Sequence, residues 1–160
     1  NYENLFFDKN LPRKSLEYVL KRYVFHPRYS YQSYLVFDPQ SGNNSLLIAR
    51  EVDHCGSRVL RIIDFIGDVN VFGKLNDWLI FITSENCYEY VDLLCSGIDQ
   101  KLFEKSGFNF HLKNDNFIVP TYFEPFVDKN IDIYFEKSHK DLIIFKGDSD
   151  GDRPNIVNSI

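Results

Sequence analysis

The chain reads as a mixed α/β (α+β) domain whose central, mostly antiparallel sheet is flanked by helices. Fifteen Phe and ten Tyr among 160 residues enrich it in side chains that suit a pleated, half-buried surface. Between residues 31 and 66, strand-like apolar runs follow one another with only short turn clusters between them, the pattern of an antiparallel meander. Stretches of helical spacing then lie before and after a further apolar run. That alternation of element types favours helices packed on a mixed sheet.

Residues 1–10 are polar except for Leu5, Phe6 and Phe7, a short edge-strand candidate. Pro12 suits a helix start. Leu16, Val19, Leu20 and Tyr23 recur at helical spacing, so 12–25 reads as an amphipathic helix that Pro27 stops. Tyr31–Phe37 is the first strand of the meander, closed by Asp38-Pro39. Ser45–Val52 and Arg58–Ile66 follow, joined by a turn at His54-Cys55-Gly56. Asn70 can cap a helix that turns Leu75, Trp78, Leu79 and Ile82 inward. Tyr88–Cys95 contains Val91, Leu93, Leu94 and Cys95, a compact apolar run that suits an interior strand. Asp99 can cap the next helix, with Ile98, Leu102 and Phe103 inward and Gln100, Lys101, Glu104 and Lys105 outward. Gly107 stands where that helix ends in a left-handed residue, and Phe108 can fold back on it. Phe117–Val119, Ile131–Phe135 and Leu142–Phe145 are the remaining strand candidates, the last two joined by a turn at Ser138–Asp141.

The net charge of −5 argues against a nonspecific nucleic-acid binder, which needs a basic face. Cys55, Cys87 and Cys95 are odd in number and not closely paired, which disfavours a disulfide framework or a thiolate zinc site. No metal is expected. There is no signal-peptide pattern and no run of 18 apolar residues, so no membrane span and a cytoplasmic location are expected. The sequence starts at Asn1 without Met, as a piece of a longer chain would. One domain is expected over 1–146, followed by an acidic, polar C-terminal tail over 147–160.

Residues Leu102-Phe103-Glu104-Lys105-Ser106-Gly107-Phe108, with the strand before them, resemble the fifth strand, fourth helix and LYEKxGF element of the GNAT family of acyl-CoA-dependent N-acyltransferases. The element order over about residues 12–146 is similar too. The resemblance implies that strands Arg58–Ile66 and Tyr88–Cys95 splay apart and admit acetyl-CoA or another acyl-CoA between them. Backbone N–H groups at Leu93, Leu94 and Cys95 would then polarise the thioester. Those of Val69, Asn70, Val71, Phe72 and Gly73 would cradle the pyrophosphate. An amine, such as an amino sugar, would attack directly.

Two departures from the family pattern stand out. Gly67 and Gly73 fall at the wrong spacing for its pyrophosphate loop, with Asp68 among them, and serve equally well as turn and helix glycines. Phe103 replaces the tyrosine that often returns a proton to the thiolate, so catalysis by that residue is excluded. Asp64 or Glu51 could be the base. Strict alternation puts Ile63 and Phe65 on one face and Asp64 on the other with Ile62 and Ile66. A carboxylate among apolar side chains has a raised pKa and can act as general base; a salt bridge to Arg61 or Arg50 is the structural alternative. Asp64 is the chosen catalytic residue.

The end of the chain, Lys146-Gly147-Asp148-Ser149-Asp150-Gly151-Asp152-Arg153-Pro154-Asn155, lacks the glutamate and flanking helices of an EF-hand loop. With the IVPTYFEPF stretch at 118–126 it resembles uncharacterised acyltransferase-like proteins of bacterial surface-polysaccharide biosynthesis. Physically, Asp148 and Asp150 with Arg153 could hydrogen-bond sugar hydroxyls or an amine, and the faces of Tyr122, Phe123 and Tyr134 could stack on a sugar ring, with core and loop roles as the alternative for those aromatics. Two other readings stand beside the enzyme. One is a noncatalytic domain of the same fold within a tandem protein, favoured by the altered loop and Phe103. The other is a carbohydrate-binding or interaction module, favoured by the aromatic surplus.

Overall fold

The computed structural model describes residues 11–109, 116–119, 128–130, 134, 136, 138–149 and 152. Its core is a mostly antiparallel four-stranded sheet flanked by helices, in a mixed α+β arrangement. β1 (Gln32–Phe37), β2 (Asn44–His54) and β3 (Ser57–Gly67) form the expected meander, and β4 (Tyr90–Leu93) joins β3 in parallel. Cys55 and Gly56 make the β2–β3 turn with φ of 51° and 88°, the positive values that a two-residue hairpin of matching twist requires.

Helix α1 (Leu16–Val19) begins later than Pro12, because Ser15 is its cap: the hydroxyl accepts the Tyr18 N–H at 3.1 Å. It runs into a π-helical turn (Leu20–Val24) that buries Tyr23. Asn70 does not cap a helix as expected. The Asp68 carboxylate accepts the Asn70 N–H at 2.9 Å and starts a 3-10 turn (Val69–Lys74), and α2 (Asn76–Glu85) follows. Trp78, Leu79 and Ile82 of α2 do face the core.

The apolar run at 88–95 divides into β4 and a two-residue β5 (Cys95–Ser96), which pairs antiparallel with β6 (Ile144–Phe145). Asp99 caps α3 (Gln100–Ser106), and Gly107 ends it with φ 83°. Phe108 folds back as expected: its N–H donates to the Phe103 carbonyl at 3.1 Å, and its ring stacks on Phe72 with centroids 5.7 Å apart. Phe117–Val119 is not a strand. The Asn130 side chain bonds both ends of that stretch, accepting from Val119 N–H and donating to the Phe117 carbonyl. Residues 1–10 and the strand candidate 131–135, except Tyr134, lie outside the described residues. Among those described, no helix is long and apolar enough to cross a membrane.

Each face of the sheet carries its own apolar layer. Leu47, Ala49, Leu60, Ile62 and Phe65 pack with Val71, Phe72, Leu75, Phe103 and Phe145 on the α2/α3 side. Ile48, Ile63 and Ile66 pack with Val19 and Tyr23 on the α1 side. Strict alternation along β3 fails at one point. Ala49 pairs with Ile62 and Ile48 with Asp64, leaving Ile63 as an extra residue. This β-bulge turns Ile63 and Asp64 to the same side, with Ile66, and leaves Ile62 opposite with Phe65. The face grouping inferred from alternation is therefore corrected for Ile62 and Ile63, while Asp64 keeps the company of Ile66.

At Gly107 a Cβ would meet Asn76 Oδ1 at 2.5 Å in a left-handed backbone. Gly107→Ala should lower the unfolding free energy by about 1–2 kcal/mol, read as a shift of the urea midpoint at unchanged slope.

Candidate functional site

β3 and β4 run together from Val59–Tyr90 to Ile62–Leu93 and then separate. β3 continues to Gly67, whereas Cys95–Ser96 leaves to pair with β6. A divergence between the two parallel strands is thus present. It is also occupied, because β6 and the 3-10 turn after it (Lys146–Asp148) lie against β3. Phe145 is buried in the α2/α3-side layer. Gly147 backs onto the bulge: a Cβ there would lie 3.1 Å from the Ile63 carbonyl oxygen and 2.2 Å from the Tyr23 hydroxyl. Only glycine lets the backbone come this close. The Tyr18 hydroxyl donates to the Gly147 carbonyl at 3.3 Å.

On the α1 side this segment brings a layer of charge into the interior. Lys14 Nζ lies 2.5 Å from Asp64 and 2.9 Å from Asp148, and all three side chains are at most 10% exposed. The Tyr23 hydroxyl donates to the other Asp64 oxygen at 2.6 Å, and the Phe65 N–H also bonds the Asp64 carboxylate. Asp152, fully buried, accepts from Arg50 at 2.9 Å and from the Tyr31 hydroxyl at 2.6 Å. Arg22 donates to its backbone carbonyl. Arg50 also stacks over Tyr29. Arg61 grips Asp92 through two nitrogens in the planar fork geometry that favours Arg over Lys.

Burial sets the proton affinities of this layer. It is the largest influence on Asp64 and pushes its carboxyl upward, against the pull of Lys14. Burial would lower Lys14, but Asp64 and Asp148 together outweigh it and leave the amine above its ordinary value. Burial likewise raises Tyr18, Tyr23 and Tyr31. Lys146 goes the other way: burial, reinforced by Arg61 and Arg50, lowers it to about 7 despite Asp92 and Asp152.

These positions redistribute the residues singled out from sequence. Asp64 is in the charged layer, yet it has no exposed surface and its oxygens are committed to Lys14, Tyr23 and Phe65. Asp148 is in the same layer, held by Lys14 and by the Phe145 N–H. Val71 and Phe72 point into the core, and Gly73 backs onto Leu102 and Lys105 of α3. The Asn70 N–H expected at a pyrophosphate is bonded to Asp68, so a carboxylate stands at the start of Val69–Lys74. Leu93 is paired with Ile62 and Cys95 with Phe145, leaving Leu94 between the two ladders. Glu51, the other base candidate, accepts from Tyr88 and Gln32. Tyr122, Asp150 and Arg153 lie outside the described residues. The supposed tail is not separate from the domain at Lys146, since Lys146, Gly147, Asp148 and Asp152 all pack against it.

Sequence reasoning missed Lys14, Arg50, Lys146 and Asp152 as members of one cluster. A signal existed: Arg50, Arg61 and Asp64 are charges set inside otherwise apolar strands, and such charges are almost never buried unless paired. Among the described residues, no group of three or more His, Cys, Asp or Glu is arranged to hold a metal. An open groove of about 440 Å3 lies apart from the charged layer, lined by Leu79, Ile80 and Thr83 of α2, Val91 of β4 and Phe108.

Lys14→Met leaves Asp64 and Asp148 without the cation between them and should destabilise the fold by about 3–5 kcal/mol. Adding Asp148→Asn should recover part of that loss, a coupling measurable by a double-mutant cycle in urea. Gly147→Ala should cost about 1–3 kcal/mol through overpacking against Tyr23 and Ile63, measured the same way. No family model, no curated protein and no solved structure matches this chain.

Proposed function

We propose that this chain is a noncatalytic domain on a GNAT-like scaffold, a binding or assembly unit whose acyl-CoA crevice is closed by its own C-terminal segment. The observation that carries this reading is the occupied strand divergence. Phe145, Lys146 and Gly147 lie against β3, and on a GNAT-like reading a pantetheine arm would need that space. The carboxylate of Asp68 at the start of the 3-10 turn and the absence of a proton on Phe103 favour the same conclusion. A negative charge at that turn repels a pyrophosphate rather than cradling it.

Magnitudes decide against simple displacement of the segment by a cofactor. Withdrawing it takes Asp148 from Lys14, which keeps Asp64, and Asp152 from Arg50; breaking one buried charge pair costs about 3–5 kcal/mol. Removing Phe145 from its layer adds about 3 kcal/mol. Micromolar binding of acyl-CoA supplies about 8 kcal/mol in all, so little would remain for net affinity.

The acyltransferase reading, with an amine or amino-sugar acceptor, rests on one specific observation. Two parallel strands part beside a bulge at Ile63, the kind of opening that reading needs. Acetyl-CoA titration by calorimetry separates the two. The noncatalytic reading expects no saturable heat at millimolar ligand. Saturable binding at micromolar levels, with release of free thiol in the presence of an amine, would overturn it.

A further inference from the structure

β1 is an edge strand: the sheet order runs β1-β2-β3-β4, and among the described residues no strand lies on its outer side. Its residues alternate between two duties. The Asp38 N–H donates to the Asn43 carbonyl at 2.9 Å, one position beyond the Phe37–Asn44 pair. Residues 38 and 43 are therefore a hydrogen-bonded pair, and counting back along the register, Val36, Tyr34 and Gln32 also bond β2. Ser33, Leu35 and Phe37 turn their N–H and C=O groups the other way, to the open edge. The same three residues carry exposed side chains, with Leu35 66% and Phe37 56% exposed. We propose that this edge pairs with the β1 of a second copy of the chain, antiparallel about a two-fold axis at Leu35, joining two four-stranded sheets into one.

An exposed edge is normally protected by a charge, a proline or a bulge within the strand. Gln32–Phe37 has no charge and no proline, and its register with β2 is unbroken. The lack of charge is what lets this strand meet itself, since a charged residue at the axis would face its own copy. The register follows from the flanking residues. With Leu35 opposite Leu35, Ser33 lies opposite Phe37, and all three outward residues of each copy exchange N–H and C=O groups. A shift one way brings Pro39, which has no N–H, opposite Ser33. A shift the other way sets Phe37 against Tyr31, outside the strand. The Leu35 and Phe37 side chains then meet their counterparts on the α1 side, because Leu35 stands across from Leu46, which packs on that layer. On the other face Tyr34 meets Val36 of the second copy, an aromatic with a β-branched residue, which is a favourable cross-strand pair. Both pack against the α2/α3-side layer of their own copy. At the ends Asp38 falls opposite Gln32, so no like charges face each other. A two-fold contact uses the edge once in each copy and closes at the dimer.

Sedimentation velocity on the full chain over a range of concentrations tests the pairing. Wild type should be a reversible dimer at high micromolar concentration, as a small contact of this kind implies. Leu35→Lys and Leu35→Glu change an exposed side chain, so the circular dichroism of each should match wild type. Each alone should weaken dimerisation by at least about tenfold, because like charges then meet across the axis. An equimolar mixture of the two variants should recover the dimer, with one Lys opposite one Glu, and native mass spectrometry should show the mixed species exceeding either homodimer. A monomeric wild type overturns the proposal and leaves the edge to a strand from a different protein. So does a dimer that Leu35→Lys leaves intact, assembly that continues beyond the dimer, or a mixture that stays monomeric. None of these readouts involves acyl-CoA, so the outcome stands whether or not the noncatalytic reading does.

Discussion

Lys14 is the joint on which the α1 side of this molecule depends. Its amine lies between Asp64, 50 residues away in sequence, and Asp148, 134 residues away. One cation thereby ties the N-terminal segment, the third strand and the C-terminal segment together. Such an arrangement contributes little net stability relative to an apolar core of the same shape, because each charge is removed from water. Its effect is on uniqueness. Any register or path that separates the three residues leaves an unpaired charge in the interior, and that outcome is strongly disfavoured.

The bulge at Ile63 makes this joint geometrically available. With an extra residue in β3, Ile63 and Asp64 face α1 in succession. The carboxylate then meets Lys14 and Tyr23, and the neighbouring backbone receives Gly147 without a side chain in the way. Just before the bulge, at Ile62, β4 ceases to follow β3. Strand separation, the inward carboxylate and the seat of the C-terminal segment thus share one local irregularity. Such irregularities often re-aim side chains or end pairing near functional sites.

Much of the fold was legible because it follows from local chemistry. The alternating apolar runs marked β1, β2 and β3, and Asp99 with Gly107 bracketed α3 to the residue. Where local signals competed, the reading slipped. Ser15 and Asp68 captured the helix starts expected at Pro12 and Asn70, since each offers a side-chain oxygen to an N–H two or three residues ahead. The run at 88–95 looked like one strand, because nothing in its own residues records that Cys95 will find Phe145 instead of continuing beside β3.

The candidate site was far less visible. Asp64 and Asp148 were both singled out, for separate roles, and the structure joins them through Lys14. Residue types and their spacing were enough to settle an aromatic-rich, largely antiparallel sheet with flanking helices, because side-chain period, caps and turns act over a few neighbouring residues. Which charges meet and what fills the gap beside β3 rest on contacts across 31 to 134 positions, and the bulge on how β2 pairs with β3. Those contacts come into being only as the chain closes on itself, so no stretch of neighbouring residues encodes them.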